Sequence, residues 1–189
     1  GTGWRTGYRY AFFVQSAITL LLVISLPLWK KTARSEEAQE EKGVSLSISE
    51  MLKRSDIRLV LIIMLMTNAL EYACGVWGST YLVSERSFSA ELGAAALTVY
   101  YVGMSIGRFL SGLLSGKIST WKRIGIGCLV LLPATVLMLL PLDGAFSVAG
   151  LFLMGLGNGS IYPNMIHLTP YNFGKDVSQS VMGLQIAFA

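Results

Sequence analysis

Glu71 is the residue whose type and position point most directly to chemistry. It is an acid near the centre of the apolar segment from Leu59 to Val83, where insertion scales put a charged side chain at a cost of about 2.5–3.5 kcal/mol. Acids at that depth usually face a hydrated cavity and take part in an ion or substrate pathway. The sequence therefore predicts a protonatable site at Glu71. The structural alternative is a neutral Glu71 that is hydrogen-bonded to a neighbouring helix.

Polar and small residues accompany Glu71 at helical spacing. Asn68 precedes it by one turn, and Gly75 and Gly78 follow at i+4 and i+7, so these positions share one helix face. The pattern predicts a polar groove with room beside the acid.

Aromatic residues form a second set of candidates for substrate binding. Trp77 and Tyr81 are an i, i+4 pair that either stacks on a sugar ring or anchors the helix at the membrane interface. Tyr100 and Tyr101, in the next apolar segment, either line the same cavity or serve as aromatic packing.

The segment from Phe146 to His167 combines glycines, a proline and polar residues at membrane depth. Pro163 removes one backbone hydrogen bond and is expected to kink the helix. Because broken or kinked helices often border binding sites, Asn158 and Tyr162, four residues apart, are predicted to face a cavity.

Other chemistry finds no support in the sequence. Cys74 and Cys128 lie in apolar segments, which favours plain packing over a disulfide or a metal site. There is no catalytic triad, phosphate loop or dinucleotide fingerprint, so the sequence predicts neither an enzyme nor a cofactor. Arg108 lies about 10 Å from a predicted helix end, and we expect a structural or gating role for it.

Composition indicates how these residues are positioned. Hydrophobic residues make up 53% of the 189-residue chain and charged residues 14%, against about 45–50% and about 25% in soluble domains. A membrane-crossing helix needs about 20 apolar residues. The sequence therefore predicts an all-α polytopic membrane protein with spans at Tyr10–Trp29, Leu59–Val83, Leu92–Ser115, Ile124–Leu140, Phe146–His167 and a last one from Val177.

The positive charge of the chain is concentrated between the spans. The net charge of +4 therefore does not indicate a nucleic-acid partner, and the positive-inside rule places the first and third loops in the cytoplasm. Their basic residues are Lys30, Lys31, Arg34, Lys42, Lys53, Arg54 and Arg58 in or beside the first loop, and Lys117, Lys122 and Arg123 in the third.

The long polar stretch from Lys30 to Asp56 separates the first span from the others. Residues 1–29 are predicted to end an N-terminal bundle, residues 30–56 to form a linker, and residues 57–189 to form a second bundle. Within the linker, Ser47 and Glu50 match a capping box, which predicts a short helix at the interface or else a disordered loop. We expect sequence to be missing at both ends of the chain, including the rest of the N-terminal bundle.

Small residues recur at a spacing of four in two of the predicted spans, and this spacing lets helix backbones approach closely in lipid. The positions are Gly103, Gly107, Ser111 and Ser115, then Gly112 with Gly116, and Gly155 with Gly159.

Taken together, these segments resemble the sixth to eleventh helices of major facilitator superfamily transporters. Gly112-Leu-Leu-Ser-Gly-Lys117, continuing to Lys122-Arg123, is similar to the superfamily's loop motif, which implies gating roles for Lys117 and Arg123. Gly116 stands where the motif often has an Asp.

A narrower similarity is to the fucose permease-like members. It rests on Glu71-x-x-x-Gly-x-Trp77-x-x-x-Tyr81, the Gly103 to Gly112 segment, Tyr162-Pro-Asn164 and Ser180-x-x-Gly-x-Gln185. This resemblance implies twelve helices, alternating access and proton-coupled uptake of a sugar-like solute across a bacterial inner membrane, with Asn164 and Gln185 added to the substrate-binding candidates. An efflux carrier of the same fold and a non-transporting receptor or assembly factor remain the alternatives.

Overall fold

The computed structural model describes residues 3–37 and 46–188, and the regular structure in both stretches is helical, without strands. The predicted all-α fold is confirmed. The helices are α1 Gly3–Glu37, α2 Ile48–Lys53, α3 Ser55–Tyr72, a π-helical turn Ala73–Trp77, α4 Gly78–Arg86, α5 Ala90–Leu113, α6 Thr120–Leu139, α7 Gly144–Phe173 and α8 Lys175–Ala187.

The chain divides into two compact units, Gly1–Gly43 and Val44–Ala189. In the first unit, α1 continues to Glu37, eight residues beyond the predicted end at Trp29. Ala, Lys, Arg and Glu dominate this extension, and all are good helix formers. The apolar part of the helix still ends at Trp29. Residues 38–45 of the predicted linker lie outside the described residues, and the three-part domain division stays a prediction.

The second unit begins with the predicted capping box. The Ser47 hydroxyl accepts from the Glu50 backbone N–H at 3.3 Å, and the Glu50 carboxylate accepts from the Ser47 N–H at 2.9 Å. The Ser47 hydroxyl also donates to Glu50 at 2.8 Å, which lowers the pKa of the Glu50 carboxyl. Helix α2 therefore exists, and Met51 anchors it in a cluster with Ile57 and Val181.

Among the described residues, four helical stretches are long and apolar enough to cross a membrane: Gly3–Trp29, Ser55–Arg86, Thr120–Leu139 and Gly144–Phe173. Helix α5 is not one of them, although the sequence predicted a span there. Its glycines, tyrosines and Arg108 dilute the apolar content. Helix α5 nevertheless runs parallel to α7 and lies beside it from the Tyr100–Gly155 contact to the Ser111–Asn164 contact.

The parallel α5–α7 pair is in backbone contact through glycines on both helices. A Cβ atom added at Gly103 or Gly107 would overlap carbonyl oxygens of α7, and one added at Gly155 or Gly159 would overlap carbonyl oxygens of α5. Any larger residue would hold the helices apart. The small-residue packing predicted from the spacing is thus confirmed for these four positions.

Helix α6 packs antiparallel on another side of α7. Gly127 of α6 meets Gly157 of α7, since a Cβ at Gly127 would lie 2.8 Å from the Gly157 carbonyl oxygen. The second predicted small-residue pair behaves differently, because neither Gly112 nor Gly116 has an atom within 4 Å of the Cβ position. Spacing alone did not distinguish contact positions from open ones.

Helix α3 and its continuation α4 run antiparallel to α7. Met64 clusters with Ile161 and Met165, whereas Gly78, further along, lies 3.6 Å from Leu151. The start of α3 therefore lies at the same end as the ends of α5 and α7 and the start of α6. Both basic loops of the second unit are at this end, and the positive-inside rule predicts that this end is cytoplasmic.

We expect Gly107→Ala to lower the free energy of unfolding by about 1–3 kcal/mol, because the new methyl group overpacks the contact with α7. The measurement is the melting temperature of the purified protein in detergent. Gly112→Ala on the same helix is the control and should be neutral or slightly stabilising, since its site is open and Ala is the better helix former. Equal losses in both variants would contradict the packing.

For topology, we expect Ser49→Cys and Ser119→Cys to react with an impermeant maleimide only after cells are permeabilised, and Ser84→Cys to react on intact cells. Ser84 lies in α4 at the opposite end of the bundle from the basic loops. A Cys128→Ser background removes the exposed native thiol, while buried Cys74 can stay. If only one of Ser49→Cys and Ser119→Cys reacted on intact cells, the two loops would not lie at the same end of the bundle.

Candidate functional site

Glu71 lies in the last turn of α3, directly before the π-helical turn Ala73–Trp77. A π turn closes hydrogen bonds from i to i+5 and inserts an extra residue into the helix, and such turns are frequent at functional sites. The π turn was not predicted from the sequence, because apart from Gly75 no residue in it indicates an irregular helix. The irregularity places Glu71 at a local change in helical register.

A pocket of about 360 Å³ lies beside Glu71. Its lining brings together three of the predicted site residues, Asn68, Glu71 and Tyr101, and is completed by Tyr72, Gly75 and Val76. Gly75 provides room for the Tyr101 side chain, because a Cβ there would be 2.9 Å from the Tyr101 hydroxyl oxygen. The polar groove predicted next to the acid therefore exists in the structure.

The carboxylate of Glu71 has no hydrogen-bond or ion-pair partner among residues 3–37 and 46–188, where the one ion pair joins Arg54 and Asp56 at 2.7 Å. Asn68, also in the pocket, donates its amide to the Met64 carbonyl oxygen at 2.8 Å. The structural alternative for Glu71, a hydrogen bond to a neighbouring helix, is thus not realised within the described bundle.

The π turn also changes which residues share the face of Glu71. Gly78 was predicted to follow Gly75 on that face, but it is buried against Leu97 and Leu151, each 3.6 Å from its Cβ position. One extra residue per π turn rotates everything after it. The predicted groove accordingly ends at Gly75.

Tyr100 lies behind the pocket wall and is fully buried. Its ring meets the Tyr101 ring edge-on with centroids 5.2 Å apart, and its hydroxyl accepts from the Asn158 amide at 3.4 Å. The Asn158 side-chain oxygen is buried without a partner. Neither Tyr100 nor Asn158 lines the pocket. The structure therefore joins these two residues to each other and does not bring them into the lining beside Glu71.

The other polar candidates of α7 and α8 bind neighbouring helices. Asn164 donates to the Ser111 hydroxyl at 2.6 Å, linking α7 to α5. Gln185 accepts from the Thr169 hydroxyl at 2.8 Å, linking α8 to α7. Tyr162 is half-buried and packs near Met64. None of the three reaches the Glu71 pocket, and their role in substrate binding stays a prediction.

Trp77 and Tyr81 do not form a shared aromatic face. Trp77 is 66% exposed, whereas the Tyr81 hydroxyl donates to the Met138 carbonyl oxygen at 2.5 Å. Arg86 donates to Tyr81 at 2.8 Å and to the Leu140 carbonyl oxygen at 2.6 Å. Arginine and tyrosine together satisfy the carbonyl groups at the end of α6, which a helix end otherwise leaves unpaired. No role was predicted for Arg86 from the sequence, although it is a basic residue next to a short loop.

Of the predicted gating residues, Arg123 is buried and Arg108 and Lys117 are exposed. Arg123 donates to the Ser111 carbonyl oxygen at 2.8 Å and to the Thr120 hydroxyl at 2.9 Å. Arg123 therefore binds the carbonyl end of α5 and not a carboxylate. In the loop motif that this segment resembles, an Asp often stands where this chain has Gly116. Whether these residues gate a pathway stays a prediction.

The arrangement defines a class of protein before any comparison is made. Long apolar helices packed by glycine contacts, with a partnerless acid facing a polar pocket within a span, are typical of polytopic membrane transport proteins. The sequence matches the Major Facilitator Superfamily over residues 3–189, which is nearly the whole chain. The chain belongs to this superfamily.

Comparison with curated protein sequences and with solved structures found no match in either set. The family match supports a secondary transporter that lies in a lipid bilayer and binds a small-molecule substrate. Transporters of this superfamily are in general not enzymes.

We expect Tyr81→Phe to lower the free energy of unfolding by about 0.5–1.5 kcal/mol, because the hydroxyl that joins Arg86 to the end of α6 is lost. Tyr101→Phe is the matched control, since its hydroxyl makes no hydrogen bond within the described bundle and its ring lines the pocket. The melting temperatures of the two variants in detergent test this difference. Unchanged stability with altered solute uptake in Tyr81→Phe would favour the substrate-binding role instead.

Proposed function

We propose that this protein is a proton-coupled secondary transporter of a small, sugar-like solute, with Glu71 as the proton site. The observation that carries the proposal is the Glu71 carboxylate, which faces a pocket of about 360 Å³ without a hydrogen-bond or ion-pair partner among the described residues. The resemblance to fucose permease-like members supports the same function and a bacterial inner membrane location.

Proton coupling needs an acid that can both release and accept its proton during the cycle. A carboxylate locked in an ion pair or bound by several donors would stay ionised. Glu71 has no such partner among the described residues. It lies inside the Ser55–Arg86 span and lines a pocket that solvent or a solute can enter.

The pocket chemistry favours a polyhydroxylated solute. Asn68 and Glu71 supply hydrogen-bonding groups, and Tyr101, which is 46% exposed, supplies an aromatic face. A pocket of this size lies at the small end of the usual range of about 300–1,000 Å³. Sugar hydroxyl groups would bind the amide and carboxyl while the apolar face of the ring stacks on the tyrosine.

The helix geometry supplies a means of conformational change. The π turn and Gly75 follow Glu71 directly, and a π turn can convert to α-helix by a shift of one residue in register. Such a shift would move the pocket side of α3 relative to α4. Protonation and helix register would then change together, as alternating access requires.

We expect Glu71→Gln to abolish proton movement coupled to solute while the fold remains intact, since Gln keeps the shape but cannot exchange a proton. The measurement uses proteoliposomes with trapped pyranine, to which a panel of neutral monosaccharides is added one at a time. Radiolabelled exchange of any active sugar, without a proton gradient, is followed in parallel.

Glu85→Gln is the control, because Glu85 is exposed at the outer end of α4 and lies outside the pocket. Coupling through Glu71 is supported if Glu71→Gln loses the pyranine signal but keeps sugar exchange. Glu85→Gln should keep both the pyranine signal and sugar exchange. Full proton movement in Glu71→Gln would overturn the proposal. Binding of a sugar without flux in the unaltered protein would favour a non-transporting receptor.

A further inference from the structure

A basic groove lies at the cytoplasmic end of α6, away from Glu71. It has a volume of about 570 Å³ and is lined by residues that include Lys117, Ser119, Lys122, Gly125, Ile126 and Leu129. The groove begins at the α5–α6 loop and continues along the side of α6. Its upper part is basic and its lower part is apolar.

The upper part is prepared for an anion. Helix α6 begins at Thr120 with no acidic residue in its first turn and no side-chain cap from Ser119. Its first backbone N–H groups therefore have no intrahelical or capping partner. Exposed Lys117 and Lys122 flank this helix start, and the sequence holds no acidic residue between Glu91 and Asp143.

The lower part of the groove is prepared for an apolar group. Ile126 is 48% exposed and Leu129 is 66% exposed on the side of α6. The basic end of the groove therefore continues into exposed apolar surface on a helix that is long and apolar enough to cross a membrane.

We propose that the basic groove binds an anionic glycerophospholipid of the cytoplasmic leaflet. Its phosphate lies at the start of α6 between Lys117 and Lys122, and one acyl chain lies along Ile126 and Leu129. Gly125 leaves open space on the groove wall, since no atom lies within 4 Å of its Cβ position.

Lipid fits the groove better than free phosphate does. A free anion would use the lysines and the helix start but would leave the apolar lower part empty. Helix α6 is one of the candidate spans, so this lower part faces the depth of acyl chains. Basic pockets between helices on the cytoplasmic side are known to suit anionic headgroups.

The test is binding of dioleoylphosphatidylglycerol to the purified protein in a neutral detergent, followed by native mass spectrometry and by thermal shift. Dioleoylphosphatidylcholine, with the same acyl chains, and inorganic phosphate are titrated in parallel. We expect the phosphatidylglycerol to bind and stabilise, the phosphatidylcholine to bind more weakly and the phosphate to have little effect.

Three variants locate the site. Lys117→Gln and Lys122→Gln should each weaken binding of the phosphatidylglycerol about fivefold. Gly125→Leu adds an apolar side chain to the groove wall without changing charge, at a site where no atom lies within 4 Å of the Cβ position, and it should weaken the same binding. Lys175→Gln, an exposed lysine at the same end of the bundle, is the control and should not.

Equal binding of the two lipids would overturn the proposal, as would wild-type affinity in both lysine variants. Full competition by inorganic phosphate would also overturn it, because it would indicate a site for free anions. If another part of the transporter covers the groove, the unaltered protein will bind no phosphatidylglycerol and Gly125→Leu will change nothing. That result would also overturn the proposal.

Discussion

The backbone contact between α5 and α7 is the constraint on which the rest of the bundle depends. Gly103 and Gly107 face carbonyl oxygens of α7, and Gly155 and Gly159 face those of α5. In lipid there is little hydrophobic force between helices, so close packing of this kind must hold them together. The contact sets α5 and α7 in parallel at one depth, and it thereby brings the buried polar groups of both helices within hydrogen-bonding reach.

Two arginines extend this frame to the helix ends. Arg86 binds the last carbonyl groups of α6, and Arg123 binds the Ser111 carbonyl oxygen near the end of α5. In both cases the negative end of a helix takes the place of an acidic side chain.

The sequence predicted the features that depend on short-range pattern. The capping box at Ser47, the all-α fold and the contact glycines at spacing four were all visible in the order of residue types. A span was also predicted at Leu92–Ser115; helix α5 forms there, but it is not among the four stretches that are apolar enough to cross a membrane. The π turn after Glu71 was not predictable, because its register depends on how α3 and α4 pack against α7. Gly112 likewise matched the contact spacing, and only the structure shows that its site is open.

Polar residues at membrane depth separate into two kinds once their partners are known. Asn164 donates to the Ser111 hydroxyl of α5. Gln185 accepts from the Thr169 hydroxyl, but its own amide nitrogen is buried without a hydrogen-bond partner. Glu71 has no such partner in the described bundle and faces a pocket. Sequence alone treated all three as candidates, because composition and spacing do not reveal hydrogen-bond partners. An acid costs several kcal/mol at mid-membrane, and a fold that leaves it unpaired gains nothing from it structurally. That imbalance is the physical reason for proposing a role in transport for Glu71, whereas the hydrogen bond of Asn164 to Ser111 accounts for its burial.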